Sequence, residues 1–315
     1  MKRISFYYQI YLRIFMRIKG LHLLLTYKCM YECDHCFVYS SPDSSGVMKI
    51  SGIREIIKQA QNIESIETIY FEGGEPFLYY PTMLWGLQKA KEAGYRTGIV
   101  TNAYWATSIE DAKEWLKPIS RCGVDDLSVS ADAFHYGEEE ENLAKYATEA
   151  AKDLGLPVGN ITIEDPKKYL TCLEWGGKPV TGGAVLFKGR AVEKLVEGLP
   201  RKPWNKFDKC SQEDFTNQTR VHIDPLGYVH VCQGITIGNM KENPLCELFE
   251  DFSPNEHPIC DPITKGGPAE LVRKYQVKPG EGYVDECHLC YDTRLKLRDR
   301  FPEILAPNQM YGVLT

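Results

Sequence analysis

No stretch of this chain runs for about 18 uncharged apolar residues, the length a membrane-spanning helix needs. The most apolar segment, Ile4 to Leu25, is broken by Arg13, Arg17 and Lys19. No sign of charge dominates either. Lys and Arg number 37 against 43 Asp and Glu, a formal net charge of −6, which argues against a surface built as a whole to grip nucleic-acid phosphates. There are no internal repeats and no low-complexity tract, so repeat architectures and disorder are excluded. Cysteine is too sparse for a disulfide scaffold, with 11 in 315 residues, and no cleavable signal peptide is read at the start. A reducing, cytoplasmic setting is expected, in which the cysteines are thiols or metal ligands.

What is present suffices for a full core, since 43% of residues are hydrophobic and 25% charged. Ile4, Tyr7, Tyr8, Tyr11, Ile14, Phe15 and Ile18 follow helical spacing, with five positive and no negative charges over residues 1–20. They predict a basic amphipathic helix over 1–19, packed on the neighbouring domain or touching a membrane surface or acidic partner. From Gly20 to about residue 198, six β-rich runs alternate with helical segments, the pattern of parallel strands joined by crossover helices. The strands are expected near 21–26, 68–71, 97–101, 126–130, 158–163 and 180–187. Helices are expected near 51–62, 81–93, 109–120, 138–154 and 191–197, the fourth opening on four glutamates that suit a helix N-terminus. Residues 199–315 form a second unit richer in Pro and Gly, with one clear hairpin, Arg220 to Cys232. Six cysteines fall there, and a metal site would compensate for its small core.

Cys29, Cys33 and Cys36 follow directly on the first strand with three and then two residues between them. Three thiolates in so tight a loop can hold three corners of a cubane iron–sulfur cluster and leave the fourth iron open to an exogenous ligand. A structural zinc loop, completed by His35 or a distant cysteine, is the alternative. Phe71-Glu72-Gly73-Gly74-Glu75-Pro76 falls where the second strand ends. Paired glycines there admit a backbone close to a ligand, and strand ends are where α/β barrels keep their chemistry. Ser130 and Asp132 close the fourth strand on one side and suit ribose hydroxyls, or else cap the next helix.

With these residues the sequence resembles the radical S-adenosylmethionine superfamily, whose hallmark has the spacing of Cys29-Met30-Tyr31-Glu32-Cys33-Asp34-His35-Cys36. The resemblance implies an α/β fold, a partial (β/α)6 TIM-type barrel open on one side. It implies a [4Fe-4S] cluster on the three cysteines whose open iron is chelated by S-adenosylmethionine. His35 takes the place of the aromatic close to the cofactor, and Gly73, Gly74, Glu75 and Pro76 hold its methionyl ammonium. Asn102, Ser130 and Asp132 lie at strand ends facing the cofactor, and Arg190 is expected to pair with its carboxylate, a surface arginine being the alternative.

The C-terminal cysteines resemble the SPASM or twitch extensions of radical SAM maturases, which carry auxiliary four-iron clusters. No cysteine follows Cys290, so one auxiliary cluster is expected, on Cys210, Cys232, Cys287 and Cys290. Cys246 and Cys260 are substitutes, and a structural zinc is the alternative. Cys122 and Cys172 read as small buried hydrophobes.

The likeness extends to peptide-modifying maturases, notably peptide epimerases, through Ser40-Ser41-Pro42, Thr101-Asn102-Ala103-Tyr104-Trp105 and Asp132-Ala133-Phe134-His135. It implies a peptide or protein substrate and an electron donor such as ferredoxin or flavodoxin. Such epimerases carry a second thiol just after the hairpin cysteine; here Gln233 stands there, so net epimerisation lacks its hydrogen donor. No segment of roughly 80 residues is left for a peptide-recognition wing, so a leader peptide needs another carrier. His135 and Tyr136 are candidates for proton transfer or substrate contact, and Trp105 and Trp175 for cavity walls. A small-metabolite or cofactor-precursor substrate is the enzymatic alternative, and a non-catalytic iron–sulfur or zinc protein the other.

Overall fold

The computed structural model of the chain describes residues 16–137, 142–166 and 185–313. In order, the elements are β1 (Gly20–Thr26), α1 (Ile50–Ala60), β2 (Thr68–Gly73), α2 (Tyr80–Glu92), β3 (Arg96–Thr101), α3 (Ile109–Arg121), β4 (Asp126–Ser130), α4 (Ala133–Tyr136), α5 (Leu143–Asp153), β5 (Val158–Ile161), α6 (Ala191–Lys194), β6 (Arg220–Ile223), β7 (Tyr228–Cys232), β8 (Ile235–Asn239), α7 (Leu245–Asp251), α8 (Cys260–Tyr275) and α9 (Glu286–Leu297).

Period-two patterning sets the two faces of the sheet. In β2, Phe71 packs against Gly86 of α2, while Tyr70 and Glu72 turn to the opposite face and meet His22 of β1. Leu21, Leu23 and Leu25 are fully buried, each worth about 1.5–3 kcal/mol against exposure. The crossover helices bury one stripe, as Ile53, Ile56, Ile57 and Ala60 do on α1. β1 to β5 are parallel and lie in the order β5-β4-β3-β2-β1. The sheet stays open, so the barrel is partial. On the free edge of β1, β6 pairs in parallel and β7 and β8 follow antiparallel, giving eight strands.

The five strands from β1 to β5 lie where the patterning puts them. Of the sixth, residues 180–184 lie outside the described residues and 185–187 are not strand. The expected N-terminal helix lies outside as far as residue 15, and residues 16–19 are not helical. α5 begins at Leu143, after Asn142, whose side chain accepts from Lys145 N at 3.1 Å; the glutamate run at 138–141 lies outside the described residues.

The last third is more ordered than its composition suggests. It adds β8, α7, α8 and α9, and Leu245, Phe249, Ile259, Ile263, Leu271 and Leu297 join the same core as the barrel. α8 is broken at Gly266 and Gly267, which hides it from a periodicity search. α9 buries His288, Leu289, Tyr291, Thr293 and Arg294 around most of its circumference, so no apolar stripe marks it. No helix among the described residues is long and apolar enough to cross a membrane.

Candidate functional site

The cysteine loop after β1 is held from three sides. From β2, Gly74 N donates to Thr26 O at 2.7 Å and Glu75 N to Lys28 O at 2.9 Å. A Cβ at Gly74 would lie 2.1 Å from the Lys28 carbonyl oxygen, so only glycine fits this approach. From the segment before α6, Arg190 N donates to Cys36 O at 2.9 Å, and a Cβ at Gly189, whose φ is +63°, would lie 2.5 Å from Phe37 Cα. From the C-terminal end, Gln309 Nε2 donates to Val38 O at 3.0 Å and Tyr39 O at 2.8 Å. Arg190, expected on the cofactor carboxylate, sends Nη1 to Cys33 O and Nη2 to Ser40 O, both at 2.8 Å. The structure thus gives its guanidinium to the loop that carries the cysteines.

The sulfurs receive donors of their own. Asn102 Nδ2 reaches Cys29 Sγ at 3.3 Å, Tyr31 N the same sulfur at 3.4 Å, and Ser40 N reaches Cys36 Sγ at 3.3 Å. Burial pushes the Cys29 thiol up to about 12 and the Cys33 thiol higher still, and neighbouring thiolates add to both shifts. Such sulfurs keep their protons until a cation replaces them, which is the chemistry of a metal-cluster ligand set.

They border a cavity of about 180 Å³ shared by Cys29, Cys33, Cys36, His35, Gly73, Gly74, Asn102, Ser130 and His135. The cavity lies at the C-terminal ends of β1 to β5, the face where barrels keep their chemistry. Burial holds His35 down at about 4, and its Nδ1 is buried without a hydrogen-bond partner. A buried nitrogen without a partner calls for an explanation, and a ligand in this cavity would supply one. Three thiols, a glycine cradle and an orphaned nitrogen fit a cluster with one vertex left for S-adenosylmethionine. A larger cleft of about 710 Å³, between α1 and the loop after β8, holds none of these groups.

Besides Arg190, four expected residues stand back from the cavity. Glu75 is fully buried and accepts from Phe77 N at 3.0 Å, Thr101 Oγ1 at 2.8 Å and Asn102 N at 2.7 Å. Burial outweighs these donors and raises it to about 7. Pro76 opens the short 3-10 turn Pro76–Tyr79. Asp132 holds His135 Nδ1 at 2.7 Å and Ile163 N at 3.3 Å, orienting the histidine that lines the cavity. Tyr136 sits edge-on to Tyr31. Trp105 stacks on Phe77 and donates to Thr101 Oγ1 at 3.1 Å, so it is core; Trp175 and Cys172 lie outside the described residues. Tyr31, Glu72, Ile161 and Ile163 also line the cavity. Tyr31 and Glu72 lie inside the two motifs, and that position is the sequence signal that marks them.

The C-terminal cysteines converge as well. Cys287 and Cys290 lie in α9, whose N-cap Asp285 accepts from His288 N at 2.8 Å. Cys232 ends β7, Cys210 precedes β6, and Cys260, weighed only as a substitute, opens α8. Beyond burial, Cys260 is pushed up by Cys232, Cys290 and Cys210, and Cys287 by Cys232 and Cys290. Five sulfurs therefore share this nest, while Cys246 sits on α7. Among the described residues, no three cysteine sulfurs lie within 4.8 Å of one another. Two buried cations flank the nest. Lys188 Nζ stands 3.8 Å from Cys232 Sγ and donates to Gln233 Oε1 at 2.5 Å, and Arg294 Nη1 donates to Gln233 O at 2.8 Å.

Comparison with known proteins agrees with this geometry. The radical SAM superfamily model matches residues 23–164. The putative peptide biosynthesis protein YydG of Bacillus subtilis is 29% identical over 200 residues, 62% of each chain. The tungsten-containing aldehyde ferredoxin oxidoreductase cofactor-modifying protein of Pyrococcus furiosus is 27% identical over 183 residues, 57% of this chain and 47% of that one. The matches thus span less than two thirds of either curated relative. The crystal structure of BtrN in complex with AdoMet and 2-DOIA shares the fold, with a TM-score of 0.50 at 15% identity over 74% of this chain and 82% of that one.

Proposed function

Starting from residues 23–164 as a radical SAM domain, we propose that this chain is an enzyme that cleaves S-adenosylmethionine reductively and abstracts hydrogen from a peptide or protein. When bound, the cluster and cofactor supply an electron and a 5′-deoxyadenosyl radical; the protein supplies position and exclusion of water. One observation carries the reading: three cysteines, the Gly73-Gly74 cradle, Asn102, Ser130 and the orphaned His35 share a single cavity at the strand ends. In it Cys29, Cys33 and Cys36 hold the cluster, and the glycine pair admits the methionyl end of the cofactor. Asp132 keeps the His135 ring turned so that its other nitrogen can contact substrate. Of the C-terminal five, Cys210, Cys232, Cys287 and Cys290 hold one auxiliary cluster, and a ferredoxin- or flavodoxin-type donor in the cytoplasm supplies electrons.

The YydG relation supports a peptide substrate. The relation to a cofactor-modifying protein supports a second reading, a cofactor precursor. Anaerobically reconstituted protein given dithionite and S-adenosylmethionine should release 5′-deoxyadenosine, and Cys33→Ala should release none. Iron-loaded wild-type protein that yields no product, alone or with a peptide encoded beside its gene, refutes the enzyme reading. A mass change in that peptide separates the two substrate readings.

A further inference from the structure

Below the cofactor cavity, the concave face of the sheet carries a second donor set on three adjacent parallel strands. His22 lies on β1, Glu72 on β2 and His222 on β6, and the register pairs His22 directly with His222. His22 Nδ1 stands 3.2 Å from Glu72 Oε2, and His222 Nε2 stands 3.1 Å from Glu72 Oε1. The three donor atoms lie within 4.8 Å of one another. No contiguous motif announces this set, because strand pairing alone assembles it.

Two alternatives face this geometry: a plain hydrogen-bonded His–Glu–His chain, or a chelate. Charge-assisted N–H···O bonds close to about 2.7–2.9 Å, and the His135–Asp132 pair in this chain reaches 2.7 Å. Both contacts to Glu72 lie at the long end of the ordinary N–H···O range of about 2.7–3.2 Å. They equally match the ligand-to-ligand separations around one cation held by a bidentate carboxylate and two imidazoles, about 3 Å for bonds near 2.1 Å. The placement adds to this. His22 stacks flat on Tyr70 at 4.8 Å, which sets its ring plane, and the three side chains keep 20%, 14% and 11% exposure. Glu72 also borders the cavity that Cys29 and His35 share.

We propose that His22, Glu72 and His222 form a binding site for one divalent transition-metal ion, of the zinc or ferrous class, separate from both cysteine nests. Two imidazoles and one carboxylate leave coordination positions open. They face the inner side of the sheet, where the ion can take a carboxylate or amide oxygen of a molecule in the cavity.

The test uses protein with its iron–sulfur sites loaded, so that zinc does not occupy free thiols. After equilibration with Zn²⁺ under anaerobic conditions and dialysis, the wild type should hold one zinc per chain beyond its iron. Glu72→Gln and His222→Asn should each weaken uptake by more than about 100-fold, since even outer partners of a metal site are worth 10–100-fold. His135→Gln should leave it unchanged. Unchanged iron content and circular dichroism show that the variants are folded; a variant that fails this check is replaced by His22→Asn. No tight zinc in the wild type, or equal zinc in wild type, Glu72→Gln and His222→Asn, overturns the proposal. So does zinc lost with His135→Gln alone, which would put the ion on the neighbouring His35, Asp132 and His135 set.

Discussion

The two cysteine nests are built on opposite plans. The nest at the barrel mouth has three sulfurs with no spare, carried on a segment that the end of β2, Arg190 and Gln309 brace through its backbone between residues 26 and 40. It opens on a cavity and has an orphaned nitrogen beside it. The C-terminal nest has five sulfurs gathered from both ends of the last third, and two buried cations close it off. A site that must accept a ligand holds back one corner and keeps its walls small. A site that must store charge saturates its corners and neutralises them. Under the proposed function, the difference suits chemistry at the first and an electron role at the second.

The sharpest way to break that contrast is to count iron. With three sulfurs and no reserve, Cys36→Ala should lose about four irons and all 5′-deoxyadenosine. In the C-terminal nest five sulfurs serve four corners, so one alanine variant should keep its full iron. We expect Cys260→Ala to be that variant, while Cys210→Ala, Cys232→Ala, Cys287→Ala and Cys290→Ala each lose about four yet still cleave S-adenosylmethionine. Should Cys260→Ala lose the cluster and one of the other four keep it, Cys260 is a ligand and that residue is the spare. Equal loss of cleavage from both nests would end the division of labour.

The same contrast explains what the sequence could show. The barrel nest was legible because its ligands are contiguous and its cradle is a local motif, so spacing along the chain is also spacing in space. The first five strands were legible because two-residue alternation survives next to helical stripes. The strand β8 and the helices α7 to α9 were not. There Gly266 and Gly267 interrupt one helix, and the buried residues of α9 spread around its axis. For Arg190 nothing in the sequence signals its bonds to Cys33 O and Ser40 O, because 150 residues separate it from Ser40 along the chain. Lys188 gave no signal at all, since an isolated lysine between a glycine and an aromatic reads as surface.

A smaller effect tests how the barrel mouth is braced. Glu75 joins β2 to the end of β3, and burial lifts it from 4.5 to about 7. Because the folded state holds the proton more tightly, this group's contribution is fully present below the unfolded value and is lost as pH rises through about 7. Glu75→Gln removes that slope and sets an amide N–H₂ against the Asn102 N–H, at a cost of about 1–3 kcal/mol. Apparent melting temperatures should show the variant's deficit shrinking between pH 5.5 and 8. A deficit that stays constant over that range, since a carboxyl held below 4.5 titrates only at lower pH, would mean that the three donors, rather than burial, govern Glu75.

The least disruptive change bears most directly on the C-terminal nest. Lys188 Nζ, 3.8 Å from Cys232 Sγ and bonded to Gln233, places a positive charge beside sulfurs that its own removal would leave more negative. Lys188→Met keeps the length of the side chain and deletes the charge. At an effective dielectric near 20 the lost attraction lowers the auxiliary midpoint potential by on the order of 100 mV. Lys188 makes no hydrogen bond to Cys29, Cys33 or Cys36 among the described contacts, so the potential of the barrel-mouth cluster should hold. Redox titration followed by electron paramagnetic resonance resolves the two centres. A shift confined to the auxiliary centre sharpens the contrast between an open reactive nest and a neutralised storage nest. A shift shared by both would make Lys188, which also lies over the Phe37 ring at 5.6 Å, an electrostatic link between them.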